Sequence, residues 1–221
     1  MLKAILFDHD GTLVDSEASH CKIWNALLSG YGVSVSFAEF ARDCIGVSVD
    51  TTTGYFIERF SLDITVAELM AIKERAALEY QQDKGFDAIA GAMELLRELH
   101  SRQLKVAIVS GAVRDSVLHT IQCNGLASML GAVVTASDVA VNKPAPEGYL
   151  QALDRLGVTA EEAIAIEDSA SGIASAKAAG LTCFAIHHDY LSLSSLASAD
   201  RVFNTHAEVR EHLLDLIGTH Q

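Results

Sequence analysis

The chain is short of positive charge, of cysteine, of proline and of long apolar runs. It carries 16 lysines and arginines against 29 aspartates and glutamates, for a net charge of −13. Nucleic acids and anionic membranes demand clustered Lys and Arg, so neither is expected as a partner. An acidic protein that binds a phosphate must do so locally, through a cation, amides and a few basic side chains. The four cysteines, Cys21, Cys44, Cys123 and Cys183, are scattered, with no Cys-x-x-Cys pair and no histidine spacing suited to zinc. They read as small apolar residues in a reducing compartment. No apolar run reaches membrane-spanning length, and the N-terminus opens on a strand pattern instead of a charged-then-apolar leader. A cytoplasmic monomer is expected. There is no repeat, low-complexity tract or long linker, and the only two prolines stand together at Pro144 and Pro146.

Half of the 221 residues are apolar, ample for a core of one domain with an insertion or of two small domains. From Ser16 to about Gln82 almost everything reads as helix. Cys21, Ile23, Trp24, Leu27, Leu28 and Tyr31 mark one amphipathic stripe. Ser36-x-x-Glu39 and Thr65-x-x-Glu68 have the capping-box pattern that opens helices, and Thr159-x-x-Glu162 repeats it too close to a strand to carry weight. Trp24, Phe37, Phe40 and Phe56 read as the core of this helical region. After Gly91, helical patterns alternate with apolar runs at 104–109, 132–135, 163–167 and 182–187, and a last short strand is expected near Arg201–Asn204. That alternation predicts βαβ units. The fold class is therefore α/β: a Rossmann-like parallel sheet core, residues 1–15 and 84–221, interrupted by a helical bundle at 16–83.

The chemistry begins where the first strand ends. The run Ala4 to Phe7 is long enough for a buried strand and too short for a helix, and it leads into Asp8-His9-Asp10-Gly11-Thr12. Two acids at the end of a buried strand repel one another unless a cation or donors offset them, and Mg²⁺ prefers such oxygen ligands. Gly11 permits a sharp turn and leaves its N–H to face an anion. The second strand ends in Ser110-Gly111, a hydroxyl and an amide. Lys143-Pro144-Ala-Pro146 is a rigid loop that positions an ammonium. Another strand ends in Glu167-Asp168-Ser169, with Gly172 just beyond. In a parallel sheet such groups collect beyond the carboxyl ends of the strands.

This ordered set resembles the haloacid dehalogenase-like hydrolase superfamily, in its phosphatase and β-phosphoglucomutase-like branch, over roughly residues 4–187. The resemblance implies that the helical insertion is a mobile cap. It also implies that Asp8 is the nucleophile, forming an aspartyl-phosphate, and that Asp10 protonates the leaving alcohol and then deprotonates water. Asp8, the Asp10 carbonyl, Asp168 and Glu167 (the last through water or from the outer sphere) would hold Mg²⁺. Gly11, Thr12, Ser110, Gly111 and Lys143 would bind the phosphate, and His20 with Gly46-Val47-Ser48 would contact the substrate from the cap. His9 is unusual between the two acids, where an apolar residue is more common. Alternation along the chain predicts that it points away from both.

Four activities compete for these motifs. A Mg²⁺-dependent phosphatase acting on a small phosphate ester, with sugar phosphates the leading class, uses every group. A β-phosphoglucomutase-like enzyme is also suggested by His20 and Ile45-Gly-Val-Ser48, but those mutases carry an Arg where this chain has Val49 and a Lys where it has Ala76. The dehalogenase branch lacks the second acid, here Asp10. A phospho-accepting receiver is about half this length and has no helical insertion. The sequence favours phosphate ester hydrolysis.

Overall fold

The computed structural model describes residues 1–45 and 49–218. Among these, six strands form one parallel sheet in the order β3-β2-β1-β4-β5-β6. The strands are β1 Ala4–Phe7, β2 Lys105–Val109, β3 Leu130–Val134, β4 Ala163–Glu167, β5 Thr182–Ile186 and β6 Arg201–Phe203. The helices of this part are α5 Ala92–Ser101, α6 Arg114–Cys123, α7 Glu147–Leu156, α8 Ala170–Ala178 and α9 His206–Gly218.

The strands read as continuous apolar runs because both faces of the sheet are covered. Small residues line one face, with Ala4, Ala107, Ala163, Ala165 and Cys183 packed in a single cluster with Tyr149, Ala152 and Leu156 of α7 and Ile173 and Ala176 of α8. Short side chains there let these two helices come close to the backbone. The alternate residues Ile5, Phe7, Val106, Ile108 and Ile166 are larger and buried as well. They belong to the opposite face, where α5 packs on β2 and α9 on β6.

The chain divides into two compact units, Met1–Asp15 with Ala88–Gln221 and, separately, Ser16–Asp87. The second unit holds α1 Ser16–Ser29, α2 Phe37–Cys44, α3 Val49–Phe60 and α4 Val66–Lys84. Its core is Cys21, Trp24, Leu28, Val35, Phe40, Cys44, Phe56, Leu62 and Leu69, with Trp24 edge-on to Phe56 at a centroid distance of 4.9 Å. Ser36 and Glu39 form the expected reciprocal cap of α2, and Thr65 and Glu68 pair in the same way before α4.

Several local expectations need correction. Phe37 is the first residue of α2 and is 39 % exposed, so it is not part of the helical core. Tyr31 lies beyond the end of α1 and is exposed too. β3 starts at Leu130, two residues earlier than its apolar run, because Leu130 pairs with Val106 despite the intervening Gly131. The Thr159–Glu162 pattern does form a cap, but of a single 3₁₀ turn leading into β4.

Candidate active site

The register of three strands assembles the site. Phe7 pairs with Ile108 on one side and Ile166 on the other. The Asp8 N–H donates to the Ile166 carbonyl at 2.9 Å, which sets Asp8 level with Glu167. The Ser110 N–H donates to the Val134 carbonyl at 2.9 Å and extends β2 to the same edge. β1 is the strand at which the connections reverse direction across the sheet, so these residues meet in the crevice where such folds bind ligands.

Lys143 enters from the segment between β3 and α7. Its ammonium donates to Asp8 Oδ1, to Glu167 Oε1 at 2.6 Å and to the Val109 carbonyl at 2.9 Å. Its loop is tied down on both sides. Asn142 donates through Nδ2 to the Gly111 carbonyl at 3.1 Å and accepts the Lys143 N–H at 2.9 Å, while Ser175 of α8 donates to the Ala145 carbonyl at 2.6 Å. Tyr149, buried in α7, donates its hydroxyl to Glu167 Oε1 at 2.7 Å.

Gly11 occupies the left-handed region with φ +74°, and a Cβ there would lie 1.9 Å from Asp168 Oδ2. Only glycine allows the turn after β1 to pass so close to that carboxylate. Asp8, Glu167 and Asp168 each offer an oxygen, all within 4.8 Å of one another. Burial raises the Asp8 carboxyl to about 7, with Glu167 and Asp10 adding to the rise and Lys143 opposing it. Asp168 is raised in the same way, by burial first and then by Asp8 and Glu167. Burial alone would lower the Lys143 ammonium, but Asp8 and Glu167 outweigh it and hold the group charged. Three crowded acids against one ammonium leave the cluster short of positive charge. An all-oxygen donor set in that state fits a hard divalent cation.

The other expected residues fall into three groups. Ser110 is buried and accepts the Ala112 N–H at 2.9 Å, which leaves its own O–H to donate, and Gly111 lies beside it at the exposed rim. Thr12 is fully buried and its hydroxyl has no hydrogen-bond partner. His20 lies on α1 of the helical unit, edge-on to Phe86 at 5.5 Å, while Gly46, Val47 and Ser48 lie outside the described residues.

Contrary to the alternation argument, His9 does not turn away from both acids. Its ring is fully buried, with Nδ1 3.0 Å from Asp10 Oδ2 and Nε2 2.9 Å from Thr120 Oγ1. The turn after β1 breaks strand geometry, since the N–H groups of Leu13 and Val14 both donate to the His9 carbonyl. Sequence reasoning also missed Tyr149 and His188. The latter lies 2.6 Å through Nε2 from the Gly11 carbonyl and 3.8 Å from Asp168 Oδ2. Tyr149, three residues after Pro146, had a positional signal. His188 had none, because its place is set by the loop after β5.

Fold and crevice define a doubly wound α/β enzyme with an acid-rich centre. The chain belongs to the haloacid dehalogenase-like hydrolase family, whose pattern matches residues 5–186. It is 31 % identical over 219 residues to validoxylamine A 7'-phosphate phosphatase of Streptomyces hygroscopicus subsp. limoneus, covering 95 % of this chain and 97 % of that one. A haloacid dehalogenase family hydrolase from Deinococcus radiodurans R1, solved with bound phosphate and sodium, superposes with a TM-score of 0.81 at 29 % identity, covering 97 % and 96 % of the two chains. CbbY from Rhodobacter sphaeroides, in complex with phosphate, gives 0.71 at 25 % identity, with 95 % and 96 % covered. Among the described residues no helix is long and apolar enough to cross a membrane.

Proposed function

We propose that this protein is a phosphatase that hydrolyses a small phosphorylated metabolite, with sugar phosphates the leading class, through an aspartyl-phosphate on Asp8. The observation that carries the reading is the buried Asp8 carboxylate at the end of β1, bonded to the Lys143 ammonium and flanked by Glu167 and Asp168. The name of the Streptomyces relative, validoxylamine A 7'-phosphate phosphatase, supports the hydrolysis of a small phosphate ester.

In the first step an Asp8 carboxylate oxygen attacks phosphorus and the bond from phosphorus to the ester oxygen breaks. Asp10 gives its proton to the departing alkoxide. In the second step water attacks the same phosphorus, its proton passes to Asp10, and the bond between Asp8 and phosphorus breaks. Phosphate leaves and both carboxyl groups return to their starting states. Lys143, the Ser110 hydroxyl and the Gly111 N–H supply donors for the phosphoryl oxygens, whose charge is what the site must stabilise. Mg²⁺ held by Asp8, Asp168 and the Asp10 carbonyl would neutralise part of that charge. Glu167, with Oε1 shared between Lys143 and Tyr149, orients the ammonium and would act on a bound metal from the outer sphere.

The test is chemical trapping. Rapid quenching with a phosphorus-labelled ester should leave label on Asp8. Asp8→Asn should carry none and release no phosphate. Near-normal turnover in that variant would overturn the reading.

A further inference from the structure

An imidazole is an expensive residue to bury beneath the second acid. A leucine or phenylalanine would fill the same space without desolvating two ring nitrogens, and an unpaired buried polar group costs roughly 1–3 kcal/mol. Here neither nitrogen is unpaired. Nδ1 meets Asp10 Oδ2 and Nε2 meets Thr120 Oγ1, at 3.0 and 2.9 Å. Thr120 belongs to α6, on the face that buries Val117 and Ile121, and is itself 2 % exposed. Two elements far apart in sequence therefore supply matched polar groups in an otherwise apolar place.

We infer that His9 is a positioning residue for Asp10, anchored by Thr120, which fixes the plane of the Asp10 carboxylate. This rests on the acid–base role proposed for Asp10. Toward an ionised Asp10 the ring presents N–H at Nδ1, and the Thr120 hydroxyl, which can donate or accept, matches Nε2. The Asp10 side chain is 38 % exposed, whereas the imidazole against it is fully enclosed. The base of the imidazole is also held, because the His9 carbonyl accepts from Leu13 at 2.8 Å and Val14 at 3.1 Å. A line of contacts thus runs from α6 through His9 to the acid.

The experiment compares His9→Leu, His9→Asn, Thr120→Val and Asp10→Ala by steady-state kinetics on an alkyl phosphate, with thermal melting as the check of folding. The Asn amide places N–H where Nδ1 stood, so it keeps the bond to Asp10 and gives up only Thr120. We expect His9→Leu to lower kcat by about 10–100-fold, part of the 10²–10⁴ typical of a whole acid–base group, with KM little changed. His9→Asn should recover most of that loss, and Thr120→Val should fall between. With p-nitrophenyl phosphate, whose leaving group needs no proton, the pre-steady-state burst should survive in His9→Leu while the slower turnover that follows is reduced. Native kcat in His9→Leu, or equal impairment of His9→Leu and His9→Asn, overturns the inference if Asp10→Ala is inactive. If His9→Leu does not fold, native kcat in Thr120→Val overturns it. Native turnover in Asp10→Ala removes the acid–base reading itself, and this inference with it.

Discussion

Gly172 and Glu167 are fitted to one another: a Cβ on the glycine would lie 1.9 Å from Glu167 Oε2 and 2.1 Å from Oε1. Ser169 caps α8 by accepting the Gly172 N–H at 3.1 Å, which fixes the helix at this distance. We predict that Gly172→Ala pushes Glu167 off Lys143, costs about 1–3 kcal/mol of stability from overpacking, and lowers turnover. Thermal melting with phosphate-release kinetics reads both effects. An alanine variant with native melting and native activity would show that the carboxylate has room to move.

The sheet was legible in the sequence because its strands are buried on both faces and stand out as short apolar runs between turn residues. The crevice was legible for a related reason: Asp8, Ser110, Lys143 and Glu167-Asp168 all follow strands or rigid loops, so their spacing survives in the linear order. What could not be read depends on folding back in three dimensions. His9 meets Thr120 of α6, and His188 meets Gly11, across sequence distances that no local pattern encodes. Thr12 belongs to a phosphate-binding motif by resemblance, and the full burial of its side chain is not legible in that motif. Phe37 was misplaced because a capping box fixes where α2 begins but not which side its first residue faces.

Tyr149 and Glu167 give a second test. The hydroxyl donates at 2.7 Å in a fully buried place, and burial, reinforced by Glu167, raises its pKa so that it stays protonated. Tyr149→Phe keeps the ring and deletes only the donor. A hydrogen bond to a charged group is worth about 1.5–3 kcal/mol, so a stability loss of that order is expected in denaturant unfolding. A loss under a few tenths would mean that Lys143 alone satisfies the carboxylate.

Metal dependence follows from the shortage of positive charge around Asp8, Glu167 and Asp168. Chelation should abolish phosphate release and added Mg²⁺ should restore it. Binding should also raise the melting temperature, because saturation at about 100 times Kd stabilises the folded state by about 2.7 kcal/mol. Full activity in excess chelator, with melting indifferent to Mg²⁺, would sink the assignment.

His206 predicts an acid limit to stability. It is 1 % exposed at the start of α9, and burial, opposed by the Thr12 main chain and Glu94 and aided by the neighbouring His188, lowers it from 6.5 to about 4. Between those values the unfolded chain binds a proton that the folded one refuses, so stability rises with pH. The contribution is complete above about 6.5 and is lost as pH falls to about 4, roughly 3 kcal/mol in all. His206→Gln should flatten this part of the pH profile relative to the parent protein. Parallel profiles for the two would show that another group governs the acid limb.

The last prediction separates hydrolysis from transfer. A mutase must hold a bisphosphate while it turns over, and its second phosphate needs cationic partners. In the helical unit α3 opens with Val49, an apolar residue 39 % exposed, and α4 carries Ala76, where the mutases would have Arg and Lys. Lys73, one turn earlier on α4, is buried; burial lowers its pKa, while Glu74 and Glu17 of the same unit raise it. Hexose monophosphates should therefore give free inorganic phosphate, with no need for a bisphosphate activator. Val49→Arg should strengthen binding of bisphosphates more than of monophosphates, as inhibition constants would show. The deciding measurement follows β-glucose 1-phosphate by NMR, and its conversion to glucose 6-phosphate faster than to glucose and phosphate would replace hydrolysis by transfer.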